Sequence, residues 1–316
     1  MKRHRAPFPS QPFRENRRAV ESASQPKSGL VPAVAAFLAW GAFPIYFHAL
    51  RGVPATEILA HRVVWSAVFL SVLVTLAGRW PEWKAALARW RTARVYLLST
   101  TLVTVNWLLY IWAVSTGQVL EASLGYFINP LVNVLLGVFF LGEKLRPRQA
   151  AAFGLAGVGV IVMGVRLGTF PWLALALAAS FGAYALVRKV GGIDPLVGLL
   201  VETSLVAPLG LGLITFAFFK GSGALGRDPF TTLLLLGAGV VTAMPLIWFA
   251  RGVRGLKLST IGLIQYLAPT LQFLSAVVLF HEPFGAAHAA AFGCIWVSLA
   301  LYSADALHHQ ATRATR

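Results

Sequence analysis

Ten side chains stand out because their chemistry is at odds with their surroundings. His61, Arg62, Asn106, Tyr110, Tyr126, Asn129, Asn133, Glu202, Gln265 and Gln272 all lie within long apolar runs. A polar group inside a membrane-length run is expensive, so each marks a pathway, a site or a helix-to-helix bond. Tyr126, Asn129 and Asn133 fall at i, i+3 and i+7, one face of a helix. Gln265 and Gln272 are also seven apart, and Asn106 and Tyr110 stand at i and i+4. Amides and phenols both donate and accept, so these seven are candidate substrate contacts, the amides suiting a neutral or zwitterionic solute. The competing reading is interhelical hydrogen bonding that holds a bundle together. His61, Arg62 and Glu202 are different in kind. His and Glu both titrate near neutral pH when partly buried, so they are candidates for proton coupling along a pathway. For Arg62 the competing reading is snorkelling to the outer headgroups or a fixed helix-end partner.

The elements that carry these residues follow from composition. The 316 residues are 57% hydrophobic and 12% charged, with mean hydropathy +0.71. A soluble domain carries about 25% charge. Half of that cannot cover a globule in water, so a cytosolic enzyme, a secreted disulfide domain and a disordered chain are excluded. The single cysteine, Cys294, leaves no disulfide framework and no Cys-based metal site. Ten runs approach the length that crosses a hydrocarbon core as a helix: Leu30 to Leu50, Ile58 to Gly78, Val95 to Ser115, Ala122 to Leu141, Gln149 to Val165, Thr169 to Val187, Leu196 to Phe219, Phe230 to Ala250, Leu258 to Phe280 and Ala286 to Ser303. They are too uniformly apolar for barrel strands. The expected fold is all-α and membrane-integral. Residues 1–29, rich in Pro, Ser and cations, read as a disordered basic tail, and 304–316 as a C-terminal tail. The first apolar run starts late and lacks a small-residue cleavage pattern, so it reads as a span rather than a signal peptide.

The net charge of +16 raises nucleic acid as a partner, but its distribution answers otherwise. With the N-terminus placed in the cytoplasm, 22 Lys and Arg fall on the inner side and 4 on the outer, with Arg62 inside a run. That asymmetry is a topology signal, and it puts both termini in the cytoplasm with no nucleic acid required.

The chain also repeats itself. Pro130 and Pro269, Glu143 and Glu282, and Ala151-Ala152-Phe153-Gly154 and Ala290-Ala291-Phe292-Gly293 share an offset of 139. Upstream the offset becomes 141, which aligns Trp40-Gly41-Ala42 with Phe181-Gly182-Ala183 and Pro54 with Pro195. Each repeat, 30–165 and 169–303, then holds five helices. An odd number inverts the second copy. The loop Glu143-Lys144-Leu145-Arg146-Pro147-Arg148 carries three cations and its counterpart His281-Glu282-Pro283-Phe284-Gly285 none, as opposite faces require. The offsets set Gln265 on Tyr126, Gln272 on Asn133 and Glu202 on His61. They predict two amides facing each other across a pseudo-two-fold axis, and His61 and Glu202 at opposite ends of one pathway. Inverted repeats are typical of secondary transporters that rock about a site near the midplane.

Two five-helix halves of about 140 residues resemble the EamA repeats of the drug/metabolite transporter superfamily. More narrowly, His61-Arg62-Val63-Val64-Trp65-Ser66, Asn106 to Val114, Glu121 to Asn133 and Leu258-Ser259-Thr260 through Gln265-Tyr266 and Pro269-Thr270 resemble the RarD subfamily. The resemblance covers roughly 30–305 and implies a ten-helix permease of the cytoplasmic (inner) membrane, with no secure substrate.

Other residues take structural readings. Mid-helix Pro130 and Pro269 each remove a backbone bond and mark kinks. Glu143, Glu282 and Glu121 sit at helix ends, where a carboxylate caps a helix N-terminus. Trp107 and Trp112 read as packing or interfacial residues. Gly154, Gly157 and Gly159, with Ala290, Gly293 and Cys294, read as close helix packing. By family analogy that packing lies between halves or between the protomers of a homodimer. No P-loop, zinc-protease or nucleophile-elbow motif occurs, so the expectation is a non-enzyme without cofactor or metal. The chain reads as a carrier of a small metabolite or drug-like solute by alternating access. A passive channel, a non-transporting sensor or lipid-binding protein, and a membrane-embedded enzyme are the alternatives.

Overall fold

The computed structural model describes residues 29–142, 147–167, 170–191, 194–254, 256, 261 and 264–314. The predicted N-terminal tail up to residue 28, Glu143 and Leu258-Ser259-Thr260 lie outside the described residues. Among the described residues the chain is helical without strands: α1 (Leu30–Gly41), α2 (Phe43–His48), α3 (Ala55–Leu76), α4 (Trp80–Ala88), α5 (Trp90–Ser115), α6 (Val119–Leu141), α7 (Pro147–Leu167), α8 (Trp172–Gly191), α9 (Pro195–Phe219), α10 (Pro229–Arg254), α11 (Leu267–Leu274, continued by a π-helical turn Ser275–Leu279) and α12 (Ala286–Ala314).

Eight helical stretches among the described residues are long and apolar enough to cross a bilayer: α1 with α2, α3, α5, α6, α7, α9, α10 and α12. The apolar stretches Trp172–Arg188 in α8 and Leu267–Leu279 in α11 are shorter. The outward side chains of this bundle are apolar. Phe139, Phe140, Val165, Leu209, Phe218 and Phe219 are each about 70–80% exposed, a surface that lipid covers and water does not.

Specific residues start and stop these helices. Asp194 accepts from the Leu196 and Val197 amides at 2.9 Å each, with Pro195 at the first helical position of α9. Gly142 ends α6 with φ 66°, the left-handed region that a residue without Cβ adopts freely. Three expectations are corrected here. Pro269 is the third residue of α11 rather than mid-helix, where its missing N–H has no intrahelical partner to lose. α4 was not anticipated; Trp80-Pro81-Glu82 opens it between the second and third predicted runs. α12 runs on to Ala314, past the predicted end at Ser303.

The halves interlock rather than sit side by side. α7 packs on α12, α3 on α9 and α10, α6 on α8 and α11, α10 and α11 on α1, α5 on α8, and α9 on α5. Small residues set the closest of these approaches. A Cβ at Gly239 in α10 would lie 2.3 Å from the Trp65 carbonyl group of α3, and one at Gly125 in α6 would lie 2.7 Å from the Ala174 carbonyl oxygen of α8. Gly159 packs against Cys294, as the small-residue reading expects, and against the Ala291 carbonyl, which that reading did not name, while Gly154, Gly157 and Gly293 face open space rather than a packed neighbour within this chain.

Candidate functional site

α3 begins after Pro54 and carries His61 and Arg62 two turns in from its N-terminal end. With one side of α3 occupied by α9 and α10, Arg62 extends toward α2 and α5. Its guanidinium carbon lies 4.1 Å from the ring centroid of Trp107, 5.5 Å from that of Phe47 and 5.6 Å from that of Phe43. Arg62 is 4% exposed, so snorkelling is overturned: the group is folded inward over an indole. Its Nε is buried without a partner, and among the described residues no hydrogen bond or ion pair leaves the guanidinium. Tyr46, Tyr110 and Tyr126 are the phenols within reach of its field. Glu57, five residues earlier on the same helix, is already engaged at 2.5 Å with the Ala224 amide.

From this arginine an aromatic file runs through the bundle. Phe47 and Tyr110 are 6.1 Å apart between centroids, Tyr110 and Tyr126 5.6 Å, Tyr126 and Phe181 6.2 Å, and Phe181 and Tyr184 5.9 Å. Tyr110 is 2% exposed with its hydroxyl unpartnered, and one turn beyond Tyr126 the buried Asn129 Oδ1 is unpartnered too. The file ends at Glu202, 1% exposed, which accepts from Ser99 at 2.8 Å, Tyr184 at 3.0 Å and Arg188 at 3.1 Å. Arg188 also donates to Tyr184 at 2.5 Å and to the Asp194 carbonyl at 3.0 Å. Asp194 in turn meets Arg79 at 3.1 Å, and Arg79 meets Glu82 at 2.5 Å. Burial pushes Asp194 up, but the Val197 amide and Arg79 outweigh it and hold its carboxyl below the usual range.

The file's other end is tied as well. Glu282 accepts from the Val119 and Leu120 amides at 2.8 and 2.7 Å, and Glu121 accepts from Leu173 and Ala174 at 3.1 and 3.4 Å. The capping expectation thus holds in kind but not in partner: each carboxylate caps a helix of the other half. His281, at φ 53°, turns the chain so that Glu282 can do this. Burial raises the Glu282 carboxyl above its ordinary range, against the two amides. His48 stacks on Phe280 at 4.2 Å at the same end.

Several sequence candidates have structural partners instead. Asn106 donates to the Leu177 carbonyl at 3.1 Å and to Ser180 at 3.0 Å, which fastens α5 to α8. Gln272 donates to the Trp40 carbonyl at 3.1 Å, leaving Oε1 buried and unpartnered. Asn133 is exposed, beside Gly182. The two amides aligned by the repeat therefore turn to different neighbours, α1 and α8. Gln265 is half-buried in a turn, sharing a side-chain hydrogen bond with Tyr266. His61 is fully buried and its Nδ1 accepts from Trp65 Nε1 at 3.2 Å. That assigns the proton to Nε2, which has no partner. The structure therefore gathers Arg62, Tyr110, Tyr126 and Asn129, and sets Glu202 apart at the far end. Sequence reasoning missed Phe43, Phe47, Tyr184 and Arg188, and gave Trp107 to packing. An Arg opposite an aromatic-rich segment was the available signal.

Comparison with known proteins follows this geometry. Residues 27–165 match the model of the EamA-like transporter family. The chain is 43% identical to the protein RarD of Escherichia coli (strain K12) over 91% of this chain and 98% of that protein. It is 40% identical to the uncharacterized transporter YojE of Bacillus subtilis (strain 168) over 89% of this chain and 95% of that protein. A crystal structure 20% identical in sequence superposes with a TM-score of 0.55 across 87% of this chain and 96% of that one, a likeness of fold.

Proposed function

This chain belongs to the EamA-like transporter family, alongside the RarD proteins, and from that premise we propose that it is a secondary transporter of the cytoplasmic membrane. It carries a small solute by alternating access between two inverted five-helix halves, with ten spans and both termini in the cytoplasm. The observation that carries the reading is the file from Arg62 to Glu202, which is lined by both halves and tied at each end by contacts that cross between them. A packed file tied at both ends by bonds that can break one end at a time suits a carrier, whereas a channel needs a continuous opening.

The packing supports the two-fold. Exchanging each helix for its equivalent 139–141 residues away converts α6 on α8 into α11 on α1, α5 on α8 into α10 on α1, and α3 on α10 into α9 on α5. The helix-end contacts join ends that the charge asymmetry assigns to one side, such as Arg79 with Asp194 inside and Glu57 with Ala224 outside. Ser99 with Glu202 and Arg79 with Asp194 form the cytoplasmic latch between the halves. A proton on Glu202, arriving among Arg188, Tyr184, Tyr96 and Ser99, weakens that latch and couples the solute to protons. His61 and Arg62 lie at the opposite end of the path.

Counterflow in proteoliposomes tests the reading. Vesicles preloaded with a mixed pool of metabolites and antibiotics are expected to accumulate at least one labelled member of that pool transiently. Efflux without trans-acceleration indicates a channel, chemical change of the solute an enzyme, and no exchange for any pool member a non-transporting protein; each rejects the proposal.

A further inference from the structure

We propose that the transported solute carries a carboxylate, and that Arg62 is the group that binds it. This deepens the transporter reading and rests on it. An arginine is protonated under any condition the membrane meets. Removing one from water without a counter-ion is among the most expensive placements available to a side chain. Here the charge is 4% exposed, its Nε is buried and unpartnered, and no carboxylate among the described residues answers it. The contrast with Arg188 is internal to the molecule: that guanidinium, also within the bundle, is fully engaged by Glu202, Tyr184 and the Asp194 carbonyl. One half-buried arginine is neutralised by the protein and the more buried one is not.

The missing counter-ion has a definable shape. The Arg62 guanidinium carbon lies over the Trp107 ring, 4.1 Å from its centroid, so the indole takes that side and bonding is left to the N–H groups. A planar fork presented edge-on matches the two oxygens of a carboxylate, and stacking on an indole while bonding in plane is what a guanidinium can do and an ammonium cannot. Phe43 and Phe47 lie within 5.6 Å of the guanidinium carbon and Tyr110 packs on Phe47, so the rest of a solute bound there meets apolar and aromatic surface. The unpartnered Tyr110 hydroxyl and Asn129 Oδ1 offer one donor and one acceptor further along the file. The solute class is a small organic monocarboxylate with an apolar or aromatic body. The neutral or zwitterionic solute expected from the amides alone narrows to one that carries a carboxylate.

The test uses the full-length protein purified in detergent. Acetate, hexanoate, phenylacetate and indole-3-carboxylate are compared with their amides, and with phenylphosphonate and inorganic phosphate, as thermal-stability ligands. At least one carboxylate is expected to raise the melting temperature where its amide does not. Arg62→Gln is expected to weaken that carboxylate by roughly tenfold to a hundredfold, the loss of charge-assisted bonds, and Arg62→Lys by less. Because the charge is unpaired in the empty protein, Arg62→Met is expected to melt no lower than wild type, where loss of a structural pair would lower it. The proposal is overturned if no acid exceeds its amide, if Arg62→Gln keeps the carboxylate response, if phosphonate or phosphate exceeds every carboxylate, or if Arg62→Met is strongly destabilised. A protein that exchanges neutral solutes equally well with Arg62→Gln rejects this inference and keeps the transporter reading. One that binds carboxylates through Arg62 but never exchanges them does the reverse.

Discussion

Glu202 offers the sharpest quantitative prediction. Its carboxylate is 1% exposed and accepts three hydrogen bonds, one of them from Arg188, whose side chain is 16% exposed. Glu202→Ala strips the carboxylate and leaves the guanidinium. Breaking a fully buried pair in this way costs about 3–5 kcal/mol. Arg188 keeps the Asp194 carbonyl and reaches partly to water, which lowers the expectation to about 2–3 kcal/mol. Glu202→Gln keeps the shape but has one acceptor oxygen where the carboxylate has two, so with that oxygen left to Tyr184 the bond accepted from Ser99 is lost along with the charge, for about 1–2 kcal/mol. A double-mutant cycle of Glu202→Gln and Arg188→Gln is then expected to give a coupling energy of about 1–2 kcal/mol. The assay is unfolding of the purified protein in mixed micelles by increasing sodium dodecyl sulfate, followed by tryptophan fluorescence. Glu202→Ala unfolding with wild type, or a coupling of zero, refutes the network. The same Glu202→Gln variant is expected to transport without pH dependence; a pH profile identical to wild type refutes the proton coupling while leaving the network intact.

Asp194 is held below its ordinary pKa, so its contribution to stability is complete above the usual aspartate range and lost as pH falls through its folded value; the melting temperature is expected to drop below about pH 4, and less so in Asp194→Asn. Gly239→Ala places a Cβ against the Trp65 backbone and is expected to destabilise by about 3 kcal/mol or to prevent assembly, whereas Gly237→Ala, whose nearest neighbour is the Tyr46 hydroxyl at 3.9 Å, is expected to melt near wild type. Asn106→Ala removes bonds between α5 and α8 and is expected to lose about 0.6–2 kcal/mol while transport affinity stays unchanged; a weakened affinity returns Asn106 to the site. Glu282→Ala uncaps α6 and is expected to cost about 0.5–2 kcal/mol, read by the same unfolding assay.

The spans were legible because membrane burial writes itself as length and hydropathy, and eight of the ten predicted runs meet that criterion as helices. The candidate set was legible for the same reason: a polar residue in such a run is conspicuous. What each polar residue does was not legible. Asn106 and Gln272 look like ligand contacts until their partners, Leu177 and Trp40, are seen on other helices. Arg188 was counted as a topology charge at a helix end, and only tertiary contact reveals it as the counter-ion of Glu202. Glu282 caps a helix 163 residues away in sequence, a separation that carries no local signature. For Arg62 a pathway role stood beside snorkelling or a fixed helix-end partner, because depth alone fits each. The three rings that hold it inward come from α2 and α5, and no spacing rule links them. α4 was missed because at nine residues it is too short for a span, and its flanking cations Arg79, Arg89 and Arg91 suited a connection.

Alternating access between the halves is tested most directly by distances at both ends of the same molecule. After Cys294→Ala, spin labels are placed in one variant on exposed Lys84 and Val190, at the proposed cytoplasmic end, and in another on exposed Gly52 and Ser222, at the proposed outer end. Pulsed electron resonance in lipid bilayers, with and without Glu202→Gln, reads both pairs. Breaking the cytoplasmic latch is expected to lengthen the inner distance and shorten the outer one. Distances that stay fixed, or that lengthen together at both ends, contradict the account.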